Sequence, residues 1–184
     1  MYNYNTSEKL KTIDEHTDYI RHTAVHPTLP YVLSCSDDLT IKLWDWEKNW
    51  ARSNSYEDHD HYVMQVSVNP RDPNSFASAS LDKTIKVWGV GTTRSSAHYT
   101  LTGHKAGVNC VAYAPTGEKP LLVSGGDDYL VKVWDYQTKH CVFTFEAHND
   151  NISAVAFHPD LPIIFSCGED NLINIWNAIT YKQE

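Results

Sequence analysis

Serine, histidine and aspartate are the residues whose types and spacing in this sequence could support chemistry. His16 is followed by Ser34 and Asp38, and the same order recurs later in the chain. A hydroxyl, an imidazole and a carboxylate in hydrogen-bond contact form the triad that many hydrolases use for nucleophilic attack. Each set here also has a tryptophan six residues after the aspartate, such as Trp44, which a hydrolase triad does not require.

These four residue types recur four times at a nearly constant interval. The four histidines are 43, 45 and 44 residues apart, and each aspartate lies four residues after its serine. A repeat with this period indicates a fold built from similar units. The four quartets are His16, Ser34, Asp38 and Trp44; His59, Ser78, Asp82 and Trp88; His104, Ser124, Asp128 and Trp134; and His148, Ser166, Asp170 and Trp176.

The recurrence of the quartets favours a structural role over a catalytic one. A carboxylate can accept a hydrogen bond from one imidazole nitrogen, while the other ring nitrogen accepts from a hydroxyl and the hydroxyl accepts from an indole N–H. Every donor then has an acceptor, as buried polar groups require. The chain also has no Gly-x-Ser-x-Gly sequence, the nucleophile motif of one hydrolase class. We therefore expect no catalytic residues and no enzyme activity.

The sequence predicts neither a metal site nor a cofactor. The cysteines are widely spaced and include no Cys-x-x-Cys pair, so we expect reduced thiols and not zinc ligands or disulfides. The run His59-Asp60-His61 could bind a metal, but His59 belongs to a quartet and no third ligand is apparent. The four cysteines are Cys35, Cys110, Cys141 and Cys167.

Composition excludes several classes of protein. The chain has 184 residues, 12% of them aromatic, which is enough apolar material for one folded domain. Its net charge of −8 argues against a nucleic-acid-binding protein, which would need a basic face. It contains neither a long apolar run that could span a membrane nor a recognisable secretory signal, so we expect a cytoplasmic location.

The segments that carry the quartets have the alternating pattern of β-strands. Residues 40–44, 84–88 and 130–134 alternate between polar and apolar side chains and follow acidic turn sequences such as Asp37-Asp38. A second apolar run precedes each turn, and no helical periodicity is present. We predict four repeats at about 14–56, 57–101, 102–145 and 146–184. With residues 10–13 as a leading outer strand, the total is sixteen short antiparallel strands.

The repeat resembles the WD-repeat family of β-propellers. Trp44-Asp45 and Trp134-Asp135 keep the Trp-Asp pair of that family, and Gly103-His104 keeps its opening Gly-His. The resemblance implies an all-β propeller with four blades of four antiparallel strands. We favour an open, incomplete propeller over a closed four-bladed ring, because WD blades usually occur in larger rings. Open blade edges would allow self-association or binding of a partner chain.

A closer resemblance extends over nearly the whole chain. Segments such as His16-Thr17-Asp18-Tyr19-Ile20-Arg21 and Phe157-His158-Pro159 are similar to the first propeller of the beta-prime family of coatomer subunits. That family belongs to the coat of vesicles that move from the Golgi to the endoplasmic reticulum and within the Golgi. The resemblance implies a scaffold that associates with other coatomer subunits and reaches Golgi membranes and coated vesicles only through the coat.

The same resemblance implies a site for the dilysine signals of cargo proteins. It places cargo-lysine binding at Asp18 and Asp37, where carboxylates on a solvent-facing rim would meet ammonium groups. In the family, the segment that holds the cargo's terminal carboxylate precedes the part matching Met1, so we expect weak or no dilysine affinity of this chain alone. Acids at equivalent positions of later repeats are Asp127, Asp150 and Glu169.

Two other interpretations remain open at this point. The chain could be a WD-repeat adaptor that has no connection with vesicle traffic, or a truncated, inactive paralogue. Trp88-Gly89 and Trp176-Asn177 depart from the Trp-Asp pair and favour the second of these slightly. Charge reversal at the two cargo-site aspartates, with peptide binding as the readout, separates the cargo interpretation from a general adaptor.

Overall fold

Every regular element of the chain is a β-strand. A computed structural model describes residues 1–184 and contains fifteen strands and no helix. The strands are β1 (Ile20–Val25), β2 (Tyr31–Ser36), β3 (Ile41–Asp45), β4 (Ala51–Tyr56), β5 (Val63–Val68), β6 (Ser75–Ser80), β7 (Thr84–Gly89), β8 (Tyr99–Thr102), β9 (Val108–Tyr113), β10 (Leu121–Gly126), β11 (Leu130–Asp135), β12 (His140–Glu146), β13 (Ile152–Phe157), β14 (Ile163–Gly168) and β15 (Ile173–Asn177).

The strands form four antiparallel sheets in chain order. The first three sheets contain β1–β4, β5–β8 and β9–β12, and the fourth contains β13–β15. Each strand pairs with its neighbour in sequence, so every sheet is a simple meander. The innermost strands pack in succession, β1 beside β5, β5 beside β9 and β9 beside β13. This arrangement is an open WD-type propeller, as the sequence predicts.

The prediction of sixteen strands is wrong in one blade. Residues 10–13 form no strand, and the fourth sheet has three strands instead of four. The N-terminal segment makes one isolated bridge between Tyr2 and Lys9 instead of pairing with the fourth sheet. A segment this short forms a strand only where a neighbouring backbone is in reach to complete its hydrogen bonds.

The core lies between the sheets and not within any one of them. One buried cluster includes Leu33 and Leu43 of the first sheet together with Phe76 and Trp88 of the second. A second cluster joins the second sheet to the third, and a third cluster joins the third sheet to the fourth. Because side chains alternate between the two faces of a strand, each inner sheet contributes one face to each of two clusters.

The hairpin turn between the second and third strands of each sheet has the same conformation. The residue after the quartet aspartate has a positive φ in all four, with values of 71°, 73°, 66° and 67°. These residues are not glycines, so the left-handed conformation is strained. The aspartate offsets this strain by accepting a backbone N–H two residues further on, at 2.9 to 3.2 Å. The residues with positive φ are Leu39, Lys83, Tyr129 and Asn171.

No helix in the structure is long and apolar enough to cross a membrane.

Candidate functional site: polar quartets and an acidic rim

The structure brings the four residues of the first quartet into one hydrogen-bonded chain. His16 Nδ1 lies 2.7 Å from Asp38 Oδ2, and His16 Nε2 lies 2.7 Å from Ser34 Oγ. The indole N–H of Trp44 donates to Ser34 Oγ at 2.9 Å. The chain of bonds therefore links the segment before β1 to β2, to the turn after it and to β3.

The other three quartets have the same connectivity. The distances for His–Asp, His–Ser and Trp–Ser are 2.6, 2.6 and 2.8 Å in the second sheet. They are 2.9, 2.8 and 2.8 Å in the third and 2.9, 2.9 and 3.0 Å in the fourth. The four serines are 0 to 4% exposed. A network satisfied at this depth restricts each sheet to one arrangement, since any lost partner leaves a buried polar group unpaired.

Each quartet aspartate has hydrogen bonds beyond the histidine. Asp38 accepts hydrogen bonds from the hydroxyl and backbone N–H of Thr40 and from the backbone N–H of Thr17. Burial acts to raise the pKa of Asp38, but these bonds together with that from His16 outweigh it and lower the pKa to about 2. The same balance lowers the pKa of Asp82 and Asp128. The carboxylates therefore stay ionised and keep the histidine ring oriented.

The quartet serines are poorly placed for nucleophilic attack. Ser34 Oγ donates towards the imidazole of His16 and at the same time accepts the indole N–H of Trp44. That second bond occupies a lone pair of the oxygen and withdraws electron density from it. The same geometry occurs in all four sheets. A link that stabilises each sheet has to be repeated in this way, whereas an enzyme needs only one active site.

The acids of the predicted cargo site differ sharply in exposure. Asp18 is exposed, and one carboxylate oxygen accepts the backbone N–H of Tyr19 at 2.8 Å. Asp37 is only 5% exposed, which departs from the expectation of a solvent-facing carboxylate. Both of its oxygens are bound by Arg21, through Nε to Oδ1 at 2.6 Å and through a second nitrogen to Oδ2.

The Arg21–Asp37 pair is the feature of this rim that residue types alone did not reveal. The hydrogen bond to Asp37 raises the pKa of Arg21, although partial burial opposes the shift. Arg21 lies on β1 and Asp37 directly follows β2, at the end of the strand pair where Ile20 is paired with Ser36. The sequence signal for this pair is a basic residue at the second position of the first strand, Arg21, together with an acid directly after the second strand, Asp37.

The acids at equivalent positions of later repeats are held by asparagines. Asp127 accepts a bond from Asn109 Nδ2 at 2.7 Å, and Glu169 accepts one from Asn151 Nδ2 at 3.2 Å. Asp150 accepts the backbone N–H of Asn151 at 2.8 Å, as Asp18 does from its own neighbour. Asp18 and Glu169 are the exposed acids of this set, whereas the other three are at least half-buried.

The remaining groups that could have bound metal are dispersed. No cluster of three or more His, Cys, Asp or Glu side chains is arranged to hold a metal ion. All four cysteines are free, and burial raises the pKa of Cys35 and Cys110 to about 12, so both are protonated thiols. His61 accepts the backbone N–H of Tyr62 at its Nδ1.

Four sheets, each closed by a His–Asp–Ser–Trp quartet, define a WD-repeat protein. The sequence profile described as "WD domain, G-beta repeat" matches residues 7–45, 50–89, 95–135 and 139–177. The chain therefore belongs to the WD-repeat family.

Among curated proteins, the chain is similar to coatomer beta' subunits. It is 59% identical over 118 residues to coatomer subunit beta'-2 of Arabidopsis thaliana, which covers 64% of this chain. It is 55% identical over 141 residues to coatomer subunit beta' of Rattus norvegicus and 53% identical over 141 residues to the probable coatomer subunit beta' of Caenorhabditis elegans, each covering 77% of this chain. The chain spans only 12 to 15% of the length of these relatives.

Proposed function

We propose that this chain acts as a non-catalytic scaffold of a vesicle coat, in association with other coatomer subunits. The observation that supports it is the 53 to 59% identity to coatomer beta' subunits over 64 to 77% of the chain. The buried quartets are consistent with it, because they stabilise the sheets and leave the loops of both rims free for partners. In this proposal the chain is cytoplasmic and reaches Golgi membranes as part of the coat.

The proposal includes a finer role, the binding of lysines in dilysine signals at the rim that carries Asp18. An exposed carboxylate can accept a lysine ammonium without losing an existing partner. Asp18 is in that state, with one oxygen bound only by a neighbouring backbone N–H. Asp37 is not, because a lysine would have to displace the two-point contact with Arg21. Asp18 is therefore the first contact for the ligand, and Asp37 acts by holding Arg21.

Binding through these residues alone is expected to be weak. An exposed ion pair contributes about 0–1 kcal/mol, since water and salt screen it. We expect a dissociation constant of about 1 mM or higher for a short dilysine-ended peptide. Nuclear magnetic resonance of the labelled chain measures affinities in this range and locates the contact at the same time.

The experiment titrates the chain with a peptide ending in the dilysine signal and with a matched peptide in which both lysines are alanines. Only the first peptide should shift the backbone amides of Tyr19 and Arg21. Asp18→Lys should abolish these shifts. Glu118→Lys, which makes the same charge change at an exposed loop residue between β9 and β10 on the opposite rim, should leave them intact.

Two results would contradict the cargo role. One is equal binding of both peptides, which would mean that the lysines are not recognised. The other is shifts confined to the rim that carries Glu118. Failure of the tagged chain to co-purify with other coatomer subunits would contradict the coat role separately.

A further inference from the structure

The fourth sheet exposes an apolar face. Ile173 is 69% exposed and Ile175 is 38% exposed, although they occupy the first and third positions of β15. Their register partners on β14 are Cys167 and Phe165, and Ala156 of β13 is paired with Phe165, so these side chains share one face. The opposite face of the sheet packs on the third sheet through Val155, Ile164 and Trp176. We call the exposed face the donor face: Ala156, Phe165, Cys167, Ile173 and Ile175.

The first sheet has the same face, but there it is covered. The equivalent residues, in the same order, are Ala24, Leu33, Cys35, Ile41 and Leu43. The last four of them are 0% exposed. They are buried in one cluster with Val63, Val66, Phe76 and Trp88 of the second sheet. The chain thus shows which kind of surface covers a donor face: the valine- and aromatic-rich side of another WD sheet.

The chain carries a second, partly open copy of that covering surface on its first sheet. The residues equivalent to Val63, Val66, Phe76, Ser78 and Trp88 are Ile20, Thr23, Val32, Ser34 and Trp44. We call these five, together with Val25, the acceptor face. Ile20 is 54% exposed and Val25 is 68% exposed. The five residues line a mainly apolar cavity of about 280 Å³ at the place where, one sheet further on, the donor side chains sit.

The N-terminal segment covers this acceptor face only in part. Met1 and Ile13 line the cavity from the other side, and Trp44 is 3% exposed beneath them. The segment does not fill the cavity, and it leaves Ile20 and Val25 open. The space left in the cavity is therefore the space that side chains of a donor face would occupy.

We propose that the donor face of one copy packs on the acceptor face of a second copy, and that two such contacts close two chains into a ring of eight sheets. The two faces of each contact are different, so the contact is head-to-tail, and a head-to-tail contact gives a closed ring when its rotation permits. Eight sheets lie within the range of four to eight blades typical of propellers. Burial of the donor isoleucines removes apolar surface from water and so favours association. Large exposed apolar patches are uncommon on monomers, which also indicates that this face is covered by a partner. This inference does not depend on the proposed coat function.

Sedimentation velocity of the purified 184-residue chain over a range of concentrations tests the proposal. We expect a concentration-dependent species with twice the mass of the 21.0 kDa chain. Ile173→Glu on the donor face and Val25→Glu on the acceptor face should each weaken association at least about tenfold, because each buries a charge in an apolar contact. Leu161→Glu is the matched control, since Leu161 is 51% exposed in the loop between β13 and β14 and should not affect association.

Mixing the two face variants tests the head-to-tail geometry. Ile173→Glu chains keep an intact acceptor face, and Val25→Glu chains keep an intact donor face, so an equal mixture can form one native contact and should give a heterodimer. Circular dichroism and thermal unfolding of each variant show whether it is folded. A wild-type chain that stays monomeric, one that grows without limit, or a mixture of folded variants that gives no heterodimer would overturn the proposal.

Discussion

The apolar face of the first sheet packs against the second sheet, whereas the equivalent face of the fourth sheet faces solvent. Ile41 and Leu43 are 0% exposed, but their equivalents Ile173 and Ile175 are 69% and 38% exposed. Both pairs consist of branched aliphatic side chains at the same strand positions, so neither the residue class nor the strand position explains the difference. A side chain of this repeat is buried only when another sheet lies over its face.

The tryptophans show the same dependence on a covering sheet at the other end of the row of four sheets. Trp88 lies between the second sheet and the first and packs with Tyr56 and Phe76, at ring-centre distances of 5.5 and 6.0 Å. Trp44 has no sheet over it, and the N-terminal segment leaves a cavity of about 280 Å³ beside it. Both indoles donate to the serine of their quartet. The quartet bond is therefore independent of the packing around it.

The largest loss of stability should come from removing one of these tryptophans. Trp88→Ala should cost about 3–5 kcal/mol of the free energy of unfolding, because it opens a cavity in a filled interface and leaves Ser78 with one partner fewer. Trp44→Ala should cost at least about 1 kcal/mol less, since fewer packing contacts are lost there. Urea unfolding measures both values, and equal costs would break the comparison.

The next largest loss of stability should come from the buried member of two equivalent isoleucines, one in the first sheet and one in the fourth. Ile41→Ala should destabilise the chain by about 2–5 kcal/mol, in line with other fully buried aliphatic side chains. Ile173→Ala should change the free energy of unfolding by less than about 0.5 kcal/mol, because its side chain is exposed. The measurement is made at the lowest protein concentration that the signal allows, so that association does not contribute. A cost for Ile173→Ala above 2 kcal/mol would mean that another element covers it.

The smallest effect should be the pH dependence from the quartet aspartates. The pKa of Asp38 is about 2 in the folded chain and about 3.9 in an unfolded one, so its contribution is complete above about pH 5 and is lost as the pH falls towards 2. We expect this loss to be about 1–2 kcal/mol. The aspartate of the fourth sheet has Leu172 where Asp38 has Thr40, and so lacks the hydroxyl donor.

Urea unfolding between pH 7 and pH 3 measures this dependence. Asp38→Asn should lower stability at pH 7 and flatten the decline on acidification, whereas Asp170→Asn should flatten it less. Identical slopes for the wild type and Asp38→Asn would show that other carboxylates cause the acid sensitivity.

Much of this fold follows from local sequence. The period of the quartets predicts the number of sheets, and the alternation within residues 40–44 and 84–88 matches β3 and β7. Each quartet can be identified because its members recur together. The failure at residues 10–13 has a different origin, since a strand at that place needs a partner backbone that the sequence does not specify. The expected exposure of Asp37 is wrong for a similar reason, because its carboxylate is bound by Arg21 across the strand pair.

The sequence by itself determined what each repeat can form: a short antiparallel sheet with a polar chain of His, Ser, Asp and Trp inside it. That information is local, because it rests on alternation, on turn residues and on matched donors and acceptors. Only the tertiary structure decided which faces are buried, which carboxylates are free and where the arc is open. Those properties depend on the surface that each sheet meets, and similar repeats meet different surfaces in the middle and at the two ends of the row of sheets.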